Sequence, residues 1–294
     1  MRHTTTLRKL IQRPGALMAP GVADALNARL VKRHGFEAIY MTGAGTTAVR
    51  LGMPDVGLLT MTEMVDNAAR IADASGLPLI ADADNGYGGV LNVRRTVQAY
   101  ERAGAAAIHI EDQVLPKRCG HLAGKQLVPV QEMEAKIRAA TDARSDADFL
   151  LIARTDAVAV EGFEPALERA ARYREAGADM LFVEAPNAEQ LPKIAPRLKA
   201  PLLYNMAASG KTPFLGREEI ERLGFKLIIY PNWTMLAAIR AASEVLATLK
   251  QTGSIAGVAR EVPSFKEFFD LLGMAEVQEL EARYGVAEGS RAKY

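Results

Sequence analysis

Acidic residues standing at the ends of short apolar runs carry the first chemical signal in this chain. Asp82 and Asp84 stand at the end of the run 79–83, Glu111 and Asp112 follow 107–110, and Glu184 follows 180–183. Asp55 lies in the loop after 38–41. Packing like charges into one cleft is costly unless a cation neutralises them. An all-oxygen ligand set suits Mg²⁺ or Mn²⁺ rather than Zn²⁺. Mg²⁺ keeps several waters, so one or two carboxylates bind it directly and the others through water. Any one of these acids could equally cap a helix or pair with an arginine; the set as a whole argues for a metal.

Basic groups accompany them: Lys117, Arg118 and Arg154, with His109 and His121. A divalent ion beside a guanidinium suits a substrate that carries a carboxylate and a neighbouring oxygen. Gly43-Ala44-Gly45 offers backbone N–H groups to the same anion, or is only a tight turn. Lys117-Arg118-Cys119-Gly120-His121 sets the lone thiol among three potential cations, which favours thiolate and proton transfer. Gly120 and Gly124 make this stretch a mobile lid. The plainer alternative is a buried apolar cysteine.

Something must hold these groups together. Eight short apolar runs, 16–19, 38–41, 79–83, 107–110, 150–153, 180–183, 202–204 and 227–230, read as strands buried on both faces. Amphipathic segments 61–75, 93–103, 129–143, 165–176 and 217–223 lie between them. Gly104, Gly177 and Gly224 supply turns before the next strand. Eight βα units in a chain of 294 residues predict a closed (β/α)₈ barrel, with an open doubly wound sheet as the alternative. In a barrel the chemistry sits at the carboxyl ends of the strands. There the sequence places Thr42-Gly43-Ala44-Gly45, Asp82-Ala83-Asp84, Glu111-Asp112, Arg154-Thr155-Asp156, Glu184, Asn205 and Tyr230-Pro231-Asn232, all converging on one mouth. The expected organisation is one barrel domain over 1–294 with a helical extension from about 233: a helix at 233–250, a loop at 252–262, and short helices at 264–272 and 275–284. This tail is expected to pack on a neighbouring subunit or over the site.

The bulk numbers restrict the function classes. Hydrophobic residues make up 49% and charged residues 24%, with 36 basic against 35 acidic side chains. That balance builds a core and gives no bulk attraction to nucleic acid or an anionic membrane. One cysteine excludes a disulfide within the chain. No run approaches the ~20 apolar residues of a membrane span, and the polar start is no secretory signal, so a cytoplasmic protein is expected.

The order and spacing of Tyr40-Met41-Thr42-Gly43, Gly52-Met53-Pro54-Asp55, Asp82 to Gly88, His109 to Gln113, the Lys117–His121 lid, Ala153 to Asp156, Glu184-Ala185 and Asn205-Met206 resemble the isocitrate lyase / phosphoenolpyruvate mutase superfamily. The resemblance runs from about Arg8 to Gly273. It implies a (β/α)₈ barrel, a homotetramer built as a dimer of dimers, and a last helix swapped between partners. It implies Mg²⁺ held chiefly by Asp84, with Asp55, Asp82 and Glu111 acting mostly through water. It implies that Thr42, Gly43 and Ala44 hold a 2-oxo acid and that Arg154 meets its carboxylate. Further substrate contacts are expected from Asp82, His109, Arg118, Gly120, Asn205 and Phe265. Lys117, Cys119, His121, Arg154, Glu184 and Tyr40 are expected to act in catalysis.

The cysteine lid is similar to the lyase branch, that of the 2-methylisocitrate and 2,3-dimethylmalate lyases. The implied reaction is a retro-aldol cleavage yielding pyruvate or another 2-oxo acid, with Cys119 protonating the departing anion. The base stays open: Tyr40, a metal-linked carboxylate or a water. Two departures point away from a tricarboxylate. Phe265 stands where methylisocitrate lyases carry an arginine, with Arg260 and Lys266 nearby, and His121-Leu122-Ala123-Gly124-Lys125 lacks their Arg-Pro-Asn run. Thr155 rather than Ser demotes the oxaloacetate hydrolase branch. Oxaloacetate decarboxylation or hydrolysis, phosphonate P–C chemistry, and a non-catalytic metabolite-binding barrel are the competing readings.

Overall fold

The computed structural model describes residues 1–120 and 122–293; His121, expected in the site, lies outside the described residues. The chain divides into two units, Met1–Thr234 and Met235–Tyr294.

The first unit is built on eight parallel strands: β1 (Leu17–Val22), β2 (Ile39–Met41), β3 (Leu79–Asp82), β4 (Ala105–Glu111), β5 (Leu150–Thr155), β6 (Met180–Val183), β7 (Leu203–Asn205) and β8 (Leu227–Tyr230). Hydrogen-bonded neighbours run β6-β5-β4-β3-β2-β1-β8-β7. β6 and β7 meet through a Leu181–Leu202 bridge, with the Leu181 N–H on the Pro201 carbonyl at 3.0 Å. The result is a nearly closed TIM-like barrel, not the open sheet.

Alternation of side chains along each strand sorts the core into two layers. Leu17, Ala19, Ala38, Tyr40, Ile80, Ala107, Leu150, Ile152, Met180, Phe182, Leu203, Leu227 and Ile229 fill the barrel interior. Ile39, Met41, Leu79, Ala81, Ile108, Ile110, Leu151, Ala153, Leu181, Val183 and Ile228 face the helical layer. Burying one such Leu or Ile contributes roughly 1.5–3 kcal/mol. The polar N-terminus forms a helix that sequence reading missed, α1 (His3–Gln12), whose Leu7 and Ile11 belong to the interior cluster.

The outer layer is α2 (Ala25–Arg33), α3 (Gly43–Leu51), α4 (Met61–Ser75), α5 (Val90–Arg102), α6 (Val130–Ala143), α7 (Phe163–Glu175), α8 (Leu191–Leu198) and α9 (Arg217–Arg222). Local chemistry starts them: Asp24 caps α2, and Thr60 with Glu63 forms a capping box on α4. Gly43-Ala44-Gly45 is not a bare turn. It is the first turn of α3, capped by the Thr42 hydroxyl, which accepts from the Gly45 N–H.

Gly21 marks where the barrel closes near its mouth: a Cβ there would lie 2.1 Å from the Pro231 carbonyl oxygen, so only glycine lets β1 approach the turn after β8. The second unit comprises most of α10 (Trp233–Thr252), with α11 (Phe265–Leu272) and α12 (Met274–Arg283); none of these helices buries a residue. Among the described residues no helix is long and apolar enough to cross a membrane.

Candidate active site

The site follows from the interior parity of the strands. Continuing each inward series by one step past the apolar layer gives Tyr40, Asp82, His109 and Glu111, Arg154, Glu184 and Asn205. All seven are buried. Tyr40, Thr42, Ala44, Asp55, Asp82, Glu111, Lys117, Cys119, Gly120, Arg154, Phe182 and Asn205 line a cavity of about 450 Å³, open mouth included, with Ala207, Ile229, Pro231 and Asn232 completing the wall.

Asp82 ties two backbones together. Its Oδ2 accepts from the Gly43 N–H at 3.2 Å and its Oδ1 from the Asp84 N–H at 2.9 Å. The second bond helps hold Asp84 at φ 48, a left-handed conformation that most non-glycine residues avoid. Thr42 Oγ1 donates to Asn232 Oδ1 at 2.9 Å, linking the ends of β2 and β8. Asn205 Nδ2 donates to the Glu184 carboxylate at 3.1 Å. Arg154 faces three acids: Asp156 at 2.9 Å, Glu111 at 3.3 Å and Glu184 at 3.9 Å. Its guanidinium also lies over the Phe182 ring.

The lid arises between β4 and α6. A Gln113–Leu127 bridge closes its base, and the Gln113 side chain accepts from the Arg118 N–H and donates to the Arg118 carbonyl. The Cys119 N–H donates to the Asp55 carbonyl at 3.1 Å, so the lid lies against the loop after β2. Lys117 is 3% exposed, with Nζ 2.8 Å from Asp55 and 2.6 Å from Asp84. Burial disfavours its charge, but Asp84, Asp82, Glu111 and Asp55 outweigh that and hold the ammonium well above its ordinary value. Gly120 touches the guanidinium so closely that a Cβ would lie 2.1 Å from Arg154 Nη2. Cys119 is half-buried and outside any disulfide.

Burial pushes Asp84 up to about 6 against the pull of Lys117, with Asp82 and Asp55 adding to the rise. Burial also drives Glu111 well above the carboxylate range, opposed chiefly by Arg154. These are acids in want of positive charge. Glu111 Oε1 is buried without a hydrogen-bond partner among the described residues, and Asp84 Oδ1 meets only the Lys117 ammonium. An oxygen-only donor set of this kind fits a hard divalent cation. Among the described residues no group of three or more His, Cys, Asp or Glu side chains is placed to hold a metal ion, so a bound ion would lean on one or two carboxylates and otherwise on water.

His109 is pushed down to about 4 by burial, so it is neutral at pH 7. It shares a 2.8 Å hydrogen bond with the Tyr40 hydroxyl, whose own ionisation burial pushes far up. His109 is thus a support behind Tyr40, not a wall of the cavity. Arg118 and Gly43 are also absent from the cavity lining. Arg118 is exposed and donates to the Ala123 carbonyl at 3.1 Å, outside the cavity lining. The Gly43 N–H is taken by Asp82. Phe265 belongs to the second unit, where it opens α11, is 69% exposed and packs on Phe269.

Asp112 and Thr155, read from sequence as facing the cleft, fall on the opposite parity. Thr155 Oγ1 donates to Asp112 at 2.7 Å, and Asp112 also accepts from the Tyr173 hydroxyl and the Asp156 N–H. Both residues brace the structure behind the site. Sequence reading overlooked Phe182, Ala207 and Ile229, which look like core, and Lys125, whose ammonium is buried against Asp156. For Phe182 and Ile229 the strand parity was a usable signal; for Lys125 there was none.

Comparison with known proteins fits this geometry. The family model described as phosphoenolpyruvate phosphomutase matches residues 7–250. The chain is 45% identical over 285 residues to 2,3-dimethylmalate lyase of Eubacterium barkeri, covering 97% of this chain and 99% of that protein. It is 45% identical over 282 residues to 2-methylisocitrate lyase of Aeropyrum pernix, covering 96% and 91%. A crystal structure of 2,3-dimethylmalate lyase superposes with a TM-score of 0.94 at 39% identity, over 100% of this chain and 99% of that one. Oxaloacetate acetylhydrolase bound to 3,3-difluorooxalacetate gives 0.92 at 39%, over 97% and 98%. Phosphonopyruvate hydrolase with oxalate and Mg²⁺ gives 0.88 at 33%, over 97% and 99%. With a family model over most of its length and relatives at 45% identity along nearly the whole chain, the chain belongs to the phosphoenolpyruvate mutase/isocitrate lyase superfamily and is one of its enzymes.

Proposed function

We propose that this enzyme is a Mg²⁺-dependent carbon–carbon lyase that cleaves an alkyl-substituted 2-hydroxy dicarboxylate of the 2,3-dimethylmalate type to a 2-oxo acid such as pyruvate and a carboxylate. The observation that carries this reading is that Cys119 lines the same small cavity as Arg154, Asp82 and Glu111. A thiol able to deliver a proton and a guanidinium able to hold a carboxylate therefore face one bound molecule. The apolar wall of Phe182, Ala207 and Ile229 suits alkyl groups better than a third carboxylate.

Asp84 would hold the ion, with Asp55, Asp82 and Glu111 joined to it through water. Mg²⁺ held by these residues would supply positive charge to steady the negative oxygens of the substrate. Arg154 holds a substrate carboxylate, and the Ala44 end of α3 presents the positive end of the helix to it. A base removes the proton of the 2-hydroxyl, the C2–C3 bond breaks, and its electron pair stays with the departing carbon as an enolate. Cys119 gives its proton to that carbon. Lys117 keeps the lid seated over the acids, and Glu184 with Asn205 positions the departing half. Tyr40 is a protonated phenol backed by neutral His109, so it serves as base only if its proton can move on.

Oxaloacetate hydrolysis is the second reading, favoured by a likeness to the oxaloacetate acetylhydrolase structure at the same 39% identity as to the lyase structure. Thr155 does not argue against it, because its hydroxyl faces Asp112 and not the cavity. The retained cysteine lid is what favours the lyase.

The exposed apolar side chains of the second unit, Leu236, Ile239, Leu246, Leu249 and Phe268 among them, support packing on a second copy of the chain. The proposed assembly is a homotetramer with this helical region exchanged between partners. Light scattering coupled to gel filtration should report the mass of four chains; a monomer at micromolar concentration would remove the exchanged-helix reading.

Assayed with Mg²⁺, the protein should release pyruvate from 2,3-dimethylmalate faster than from 2-methylisocitrate, and EDTA should abolish the release. Activity that survives thorough chelation sinks the metal-dependent mechanism, and acetate with oxalate from oxaloacetate as the only products would install the hydrolase instead. Cys119→Ser should lower kcat by about 10²–10⁴-fold, the usual worth of a positioned proton donor, with KM nearly unchanged. A serine variant of wild-type kcat would strip the thiol of its role.

A further inference from the structure

One buried cation has no part in the reaction as derived above. Lys125, at the far end of the lid, has its side chain 2% exposed. Its Nζ donates to the Gly120 carbonyl and lies 3.1 Å from Asp156 Oδ1. The same Asp156 holds Arg154 in a two-point clasp, Nε to Oδ2 at 2.9 Å and Nη2 to Oδ1 at 3.1 Å. One carboxylate oxygen therefore serves both the lid lysine and the guanidinium that faces the cavity. Asp156 itself is fixed from behind, because its N–H donates to Asp112.

Charge arithmetic gives this contact a purpose. Arg154 stands among Asp156, Glu111 and Glu184, one cation against three acids. An arginine already shared among acids is a poor receptor for a further carboxylate, since the incoming anion meets the negative field of its nearest partner, Asp156, and of Glu184. Lys125 brings a second positive charge to Asp156 from the lid side. Through Gly120, whose backbone lies on the Arg154 guanidinium, it also fixes the lid segment that covers that guanidinium.

We infer that Lys125 is a positioning residue that couples lid closure to anion binding: with the lid seated, its ammonium shares Asp156 and so leaves Arg154 able to hold a substrate carboxylate. Lid and receptor then form one unit, in which the anion-binding state of Arg154 exists only when the lid is down. This deepens the proposed function and rests on its placing a carboxylate at Arg154. It does not depend on which bond is cleaved.

The test uses oxalate, a small planar dianion, in the presence of Mg²⁺, and reads binding rather than turnover. Titration calorimetry on Lys125→Met should show oxalate affinity about 10- to 100-fold weaker than wild type, the range for losing a charged hydrogen bond. Lys125→Arg, which keeps the charge, should restore it to within a few-fold. In the absence of ligand, brief trypsin treatment should cut Lys125→Met after Lys117 or Arg118 faster than wild type, as the lid lifts. A double variant with Asp156→Asn should bind oxalate no worse than the weaker single variant, because the negative charge that Lys125 offsets is then gone as well. Should Lys125→Met not fold, Lys125→Gln carries the same measurements with a neutral donor. Wild-type oxalate affinity in the neutral variants, or fully additive losses in the double variant, overturns the inference. A wild-type protein that binds no oxalate, yet whose lid is loosened by the Lys125 changes, would instead overturn the carboxylate-at-Arg154 reading and leave the lid contact standing.

Discussion

The Lys117 ammonium, buried between Asp55 and Asp84, is the interaction on which the rest of the site depends. Four carboxylates gather at one end of the barrel, and burial alone pushes Asp84 and Glu111 toward the neutral acid. Removing one partner from a buried ion pair leaves an uncompensated charge in a poor solvent. The lid answers this by carrying two lysines inward, one onto Asp55 and Asp84 and one onto Asp156. Its closed position is thus set by charge as much as by shape. The exposure of Arg118 follows from the same geometry: with Lys117 turned in, its neighbour turns out and bonds the lid backbone.

Strand parity makes the rest of the arrangement possible. An eight-stranded parallel barrel has an interior, and its inward series runs straight from Leu, Ile and Ala into Tyr40, Asp82, Glu111, Arg154, Glu184 and Asn205. The apolar floor beneath them keeps water out and raises the worth of every charge above it. The outward series at the same level, Asp112 and Thr155, is spent on holding β4, β5 and α7 together through Tyr173.

Much of this was legible in the amino-acid sequence, because the signals were short and repeated. Eight apolar runs of three to five residues mark the strands to within a few residues, and the polar residues after them mark the mouth. What escaped has physical reasons. α1 was missed because its few apolar side chains, Leu7 and Ile11 among them, are spaced within a basic, polar stretch. The Gly43 turn was read apart from its cap, although Thr42 is the residue type that starts a helix. Its type and its place at a strand end put Asp112 with the cleft acids, whereas the two-residue alternation of β4 turns it behind the site. Lys125 had no local signature at all, since its partner Asp156 is 31 positions away. His121 lies outside the described residues, and Phe265 lies in the second unit.

The central claim is that the acid cluster needs a cation, supplied by the lid lysine and open to a hard divalent ion. The most direct measurement is the thermal midpoint of Lys117→Met in EDTA and in Mg²⁺. Loss of the ammonium should cost about 3–5 kcal/mol without metal. That is a fall on the order of ten degrees for a chain of this size. Mg²⁺ should restore most of it. A midpoint unchanged by the substitution in EDTA, or a fall that Mg²⁺ leaves untouched, would contradict the account.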